Sequence, residues 1–241
     1  RMVGLANVPA AEIDGLKESV LGLARETAVA PQELAEALYF AASAGLDSAA
    51  AMDAVSTAAK ASAAGMGTTT EVVGLVASAM ASYGADALDA AKATDILTRT
   101  VQEGRADPTE LAGSLGRILP VAAQLGVEFE EVGGATAFLS NVFGDTGRTV
   151  TAMSGFFAKL VAPTKQGREA LKEMGTSAEE LQSTLKNDGL IAALELLRKH
   201  GFADNQQALR ALFDEEEARY FESAKTSQGG TLEYLTFLPK G

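Results

Sequence analysis

The stretch LGRILPVAAQLGVEFEEVGGATAFL, residues 115–139, decides how this chain is read. It is strongly apolar, yet it places Pro120 inside one helical pattern and the pair Gly133-Gly134 inside the next. A proline supplies no backbone N–H and crowds the carbonyl four residues back, so Pro120 predicts a bend in a helix begun at Pro108. That bend aims Val121 and Leu125 inward, and Gly126 predicts the helix end. Each mid-helix glycine costs about 1 kcal/mol relative to alanine, which is worthwhile only where another backbone comes close. Pro120, Gly126, Gly133 and Gly134 are therefore expected to form a tight helix-helix corner rather than a pocket.

Outward from this corner the same grammar continues. Ile13, Leu16, Val20 and Leu23 fall at helical spacing, and strict alternation is almost absent. Thr68 to Glu71, Asp107 to Glu110, Ser177 to Glu180 and Asp204 to Gln207 each set a capping oxygen three residues before a Glu or Gln. Pro31 and Pro108 sit where a first-turn proline loses no hydrogen bond. Gly45, Gly65, Gly84, Gly104, Gly126 and Gly175 each follow a periodic run and predict helix stops. The expectation is an all-α fold: a compact bundle of short antiparallel helices, seven or eight of them between residues 12 and 175.

Two stretches repeat. PQELAEAL at 31–38 and PTELAGSL at 108–115 share five of eight residues at an offset of 77, and AGLDSAAAMDAV and LGVEFEEVGGAT align at an offset of 81. This suggests two related helical units, about 31–83 and 108–161, within a core domain of residues 1–180. A smaller helical extension is expected over 181–228, with turns at NDGL and KHGFADNQQ around a short helix at 190–199 and a further helix at 215–225. Residues 229–241 read as a tail or docking segment, irregular or strand-like, with Leu232, Tyr234, Thr236 and Leu238 on one face. Arg1 in first position suggests a piece of something longer.

Composition narrows the function. The 241 residues are 47% hydrophobic but only 6% aromatic and lack tryptophan, which favours close helix contact through small side chains. The 32 acidic against 20 basic residues give a net charge of -12, which repels phosphate backbones and argues against nucleic-acid binding through this segment. There is no cysteine, so disulfides and thiolate chemistry are excluded. No apolar run approaches the roughly 20 residues that span a bilayer, so stable membrane insertion by this segment is not expected.

Chemistry is sparse. His200, the single histidine, lies beside Gly201 in a turn and reads as a helix-end or solvent-facing residue. Glu128, Glu130 and Glu131, or Asp214 to Glu217, could suggest a hard-cation site. Neither has calcium-loop spacing, and acidic first turns facing the helix dipole fit better. The glycines at 65–67 and 133–134 do not follow a strand or precede a lysine-threonine pair, as a phosphate loop would require. Arg99, Arg105, Arg117 and Arg148 are scattered without aromatic interleaving. Phe138, Phe143, Phe156 and Phe157 read as core of the second unit, with a partner-binding face as the other reading. No catalytic, cofactor-binding or metal-binding residue is assigned.

The order of segments resembles the core domain of phage tail tape measure proteins. The matching residues are APQELAEALYFAASAGLDSAAAMDAV from Ala30, KATDILTRTVQEGRADPTELAGSLGRILPVAAQLGVEFEEVGGATAFL and its continuation to Pro163 from Lys92, and GREALKEMGTSAEELQ from Gly167. DGLIAALELLRKHG and ALRALFDEEEARYFESAKT resemble the family's downstream portion. The chain departs from the pattern at FGDTGRTV, where the family often has a glycine-rich loop, and GGTLEYLTFLPKG has no counterpart. The resemblance implies a structural, non-enzymatic virion protein that fills the growing tail tube and sets its length. It implies location in the virion tail, and in host cytoplasm during assembly. It also implies partners among tube, tail-tip or baseplate proteins and assembly chaperones, and homo-oligomerisation in the tail.

As one helix, the segment would reach only about 360 Å at 1.5 Å per residue, and its caps fold it back repeatedly. A compact non-ruler domain is therefore expected, with the measuring helices outside it. Two other readings stand beside this one. One is a helical interaction module of an unrelated bacterial protein; the other is a peptidoglycan-cleaving domain, for which no catalytic glutamate context or histidine pair is visible.

Overall fold

Helix boundaries follow from cap chemistry, and the computed structural model describes them over residues 9–84, 86–202, 204–214 and 218. After a short 3₁₀ turn at Ala10–Glu12 come α1 (Ile13–Thr27), α2 (Pro31–Ser43), α3 (Ser48–Ala63), α4 (Thr69–Tyr83), α5 (Ala90–Gly104) and α6 (Pro108–Leu115). They continue as α7 (Leu119–Gln124), α8 (Phe129–Phe143), α9 (Thr146–Val161), α10 (Lys165–Glu173), α11 (Ala178–Lys199) and α12 (Gln206–Leu212). The fold is all-α, and no strand occurs among the described residues. The helix expected at 215–225 and the strand-like tail at 229–241 lie outside those residues.

The caps behave largely as the sequence indicates. Thr68 and Glu71 form a reciprocal capping box on α4, while Asp107 and Ser177 accept from the backbone N–H groups of Glu110 and Glu180. Three expectations change. Ten helices lie between residues 12 and 175 among the described residues, because the chain breaks at 28–30, 116–118, 144–145 and 162–164 as well as at the glycine stops. Asn205, not Asp204, caps α12 by accepting from the Ala208 N–H at 3.0 Å. Gly104 stays helical at the end of α5, and the left-handed residue that follows is Arg105, with φ 49°.

The chain divides into two compact units. The first takes the described residues of 1–101 and 107–116. Here α4 is the central helix: Thr69, Val72, Val73, Leu75, Val76, Ala77, Ala79 and Met80 are all buried, and α2, α3 and α6 pack around it. The face α3 buries is almost entirely alanine, with Ala51, Ala54, Ala58, Ala59 and Ala61 beside Val55. Small side chains bring helix axes together, which is how a core poor in aromatics reaches close packing. On α1, Gly22 has no atom within 4 Å of the place a Cβ would occupy. Gly22→Ala is therefore expected to stabilise this unit by about 0.5–1 kcal/mol, read as a raised urea midpoint.

The second unit takes 102–106 and the described residues from Arg117 onward, so the sequence boundary at 180 falls inside it. Its core is more aromatic: Phe129, Phe138, Phe156, Phe157, Phe202 and Phe213 are buried. Phe156 stacks on Phe213 at 4.9 Å and meets Phe157 edge-on at 5.9 Å. The ion pair between Lys159 and Asp214, at 2.7 Å, lies beside the stacked pair in sequence.

Candidate functional site

Residues 120–134, where a corner is expected, belong to the second unit. Pro120 is exposed in the first turn of α7, a position that needs no N–H donor. The interruption lies one turn upstream, at 116–118, so Pro120 begins a separate helix rather than bending the one from Pro108. The reason is steric as well as electronic: its ring crowds the carbonyl of Gly116, and it has no hydrogen to offer that carbonyl. Gly126 ends α7 with φ 76°. A Cβ there would lie 2.9 Å from the Lys186 carbonyl oxygen and 3.2 Å from its Cα. Gly133 and Gly134 are buried within α8.

A second backbone approach lies one turn along the same helix. A Cβ on Gly104 would come within 2.6 Å of the Ala137 Cα and 3.0 Å of its carbonyl oxygen. The Asn141 amide donates to the Glu103 carbonyl at 2.6 Å, fixing the segment that carries Gly104 against α8. Sequence reasoning treated Gly104 only as a stop signal, because nothing local distinguishes a capping glycine from a contact glycine.

The polar group lying between Gly126 and Gly133 in sequence is Glu131, half-buried at the start of α8. One carboxylate oxygen accepts the Glu128 N–H at 3.1 Å, completing the cap of α8. The other accepts the Leu190 N–H at 2.9 Å, where the second limb of α11 begins. Between the limbs, Gly189 adopts φ 86° and ψ -179°, a combination essentially reserved for glycine. One side chain therefore caps the start of its own helix and that of a second limb beginning 59 residues further along the chain. Burial pushes the Glu131 carboxyl above its usual range, opposed by the backbone N–H groups of Glu128 and Leu190. The neighbouring Glu128 charge adds to the rise, and the Ile191 N–H opposes it.

The remaining candidates are placed as follows. His200 closes α11, with Nδ1 at 2.9 Å from the Met174 carbonyl. Glu128 and Glu130 accompany Glu131 in the cap region, and no group of three His, Asp or Glu suited to a metal occurs among the described residues. Glu215 to Glu217 lie outside those residues. Arg105, Arg117 and Arg148 are exposed on separate segments. No helix among the described residues is long and apolar enough to cross a membrane. The chemistry this arrangement performs is capping by a shared carboxylate and close backbone contact.

The profile of the family described as phage-related minor tail protein matches residues 17–224. The tape measure protein of Pneumococcus phage Dp-1 is 24% identical over 177 residues, covering 73% of this chain and 15% of that protein. The probable tape measure protein of Clostridium phage phiCD119 is 23% identical over 235 residues, covering 89% of this chain and 25% of its own. The chain thus spans a quarter or less of the length of these curated relatives. No solved structure matches.

Proposed function

Given that the chain belongs to the phage-related minor tail protein family, we propose that it serves as a compact, non-enzymatic structural domain of a tail tape measure protein. The observation that carries this reading is helix length. The longest helix among the described residues, α11, has 22 residues and is interrupted at Gly189. At 1.5 Å per residue even an unbroken α11 would span only about 33 Å, too little to measure a tail. Length is then set by sequence outside this segment, consistent with the small share of the curated relatives that it covers.

In this role the domain contacts tube, tail-tip or baseplate proteins, or assembly chaperones, and is present in several copies in the virion tail. It forms in the host cytoplasm during assembly and binds no nucleic acid through this segment, in keeping with its net charge of -12. The test uses the full-length gene. Helical turns added outside the segment are expected to lengthen tails by about 1.5 Å per residue. Deletions inside 31–161 are expected to block tail formation without a graded change. Tails shortened in proportion to residues removed from 31–161 would overturn the non-ruler reading.

A further inference from the structure

The turns that close α2 and α7 are built from the same backbone hydrogen bonds. In the first, the Ala44 N–H reaches the Phe40 and Ala41 carbonyls at 3.0 and 3.2 Å, Gly45 reaches Ala42 at 3.1 Å, and Leu46 reaches Ala41 at 3.4 Å. In the second, Leu125 reaches Val121 and Ala122 at 3.0 and 3.1 Å, Gly126 reaches Ala123 at 3.0 Å, and Val127 reaches Ala122 at 3.0 Å. Every donor and acceptor is displaced by 81 residues (126 minus 45).

The correspondence continues along the chain. Gly45 and Gly126 both have positive φ, Leu46 and Val127 are both buried, and Asp47 and Glu128 stand at the N-cap positions of α3 and α8. Further on the displacement is 77 (144 minus 67): Gly67 and Gly144 have positive φ, and Thr68 and Asp145 cap α4 and α9 by accepting from Glu71 and Arg148. In each set the three helices pack mutually, α2 with α3 and α4, and α7 with α8 and α9. One glycine-closed turn is common among helices, and the same bonds recur where Gly65 closes α3, so the turn alone carries nothing. A whole series of matched boundaries in one order is not common.

We infer that residues 31–83 and 108–161 are two copies of one three-helix module. In the second copy the first helix is split, so that its leading half, α6, is a strap on α4 of the first. The offset is 77 as far as Leu38 and Leu115 and 81 from Phe40 and Val121, so the single residue Tyr39 corresponds to the five residues GRILP at 116–120. Consequently α2 runs for 13 residues, while α6 stops after 8. The strap lies close: Pro108 and Thr109 are within 4 Å of where a Cβ on Gly67 would lie, and the same holds for Ser78 and Gly116. Contacts assign Gly116 to the first unit and Arg117 to the second, so the split helix is shared between them in sequence. Gly116 and Ile118 both keep helical dihedrals, so the interruption is a short local departure that Pro120 holds in place.

The inference stands independently of the tail assignment and is tested on the whole chain, whose lack of cysteine permits paired spin labels. Pro120→Ala restores the N–H for the Gly116 carbonyl. Hydrogen-exchange protection at 116–120 is expected to rise about tenfold as α6 and α7 join. Labels at E110C and A81C are expected to move apart as the strap leaves α4. Unchanged protection and an unchanged label distance would overturn the strap. The reciprocal variant, GRILP in place of Tyr39, is expected to lose protection around that position, and intact protection there counts equally against it. For the duplication, VAAQLGVE replaces FAASAGLD at 40–47. The chimera is expected to melt within about 4 °C of the parent, and the same replacement shifted by one residue to melt well below it. Equal melting of the two chimeras would overturn the equivalence of the modules.

Discussion

Gly104→Leu is expected to unfold the second unit, with a loss of about 3–5 kcal/mol on urea denaturation followed by circular dichroism. The first added carbon alone would lie 2.6 Å from the Ala137 Cα, a backbone atom that cannot rotate aside. Gly104→Ala should therefore already cost about 2–3 kcal/mol, although alanine is the better helix former by about 1 kcal/mol. Gly22→Ala, at an open helical site, should have the opposite sign. Gly133→Leu and Gly134→Leu carry the same expectation as Gly104→Leu, since both glycines are buried on the helix that receives Gly104. A Gly104→Ala protein within about 0.5 kcal/mol of the parent would show that α8 can move aside, and native melting of the leucine variants at 133 or 134 would remove the corner.

What the sequence made legible was local. The capping residues Thr68, Asp107 and Ser177, the positive-φ glycines Gly45, Gly65 and Gly126, and the turn at Gly189 each act within a few residues, so their spacing carries their meaning. The family was legible too, because the order of such segments is itself a long-range pattern. The contact made by Gly104 was not, because its partner is 33 residues away (137 minus 104) and a glycine carries no mark of what approaches it. Glu131 was read as part of an acidic first turn, and that half is present in its bond to the Glu128 N–H. Its second bond, to Leu190, depends on how α8 and α11 meet. Pro120 was legible as an interruption, but the break falls upstream of it because the crowded carbonyl is four residues earlier.

The second large effect is expected where these two helix starts share one carboxylate. Gly189→Ala should destabilise the second unit by about 2–4 kcal/mol, since its backbone conformation is reserved for glycine and a Cβ would lie 2.7 Å from a Glu131 carboxylate oxygen. Glu131→Ala removes both acceptors and should cost about 1–3 kcal/mol near neutral pH. Glu131→Gln keeps one acceptor but turns an N–H₂ group toward the other donor, so it should fall between Glu131→Ala and the parent. The pH dependence separates a capping role from simple volume. Burial raises the folded-state pKa of Glu131 above its usual value of 4.5, so the folded state binds the proton more tightly than the unfolded chain. The stability this group contributes by proton linkage is fully present below 4.5 and is lost as pH rises through the raised folded value. Relative to Glu131→Gln, which does not titrate, the parent should therefore lose stability as pH rises from about 4.5, and the gap between them should level off above the folded value. The slope persists only while the carboxylate stays desolvated, so Gly189→Ala, by displacing it, should flatten the slope as well as lower the midpoint. A lowered midpoint with the parent's full slope would place the strain in the backbone alone and leave Glu131 with no part in it.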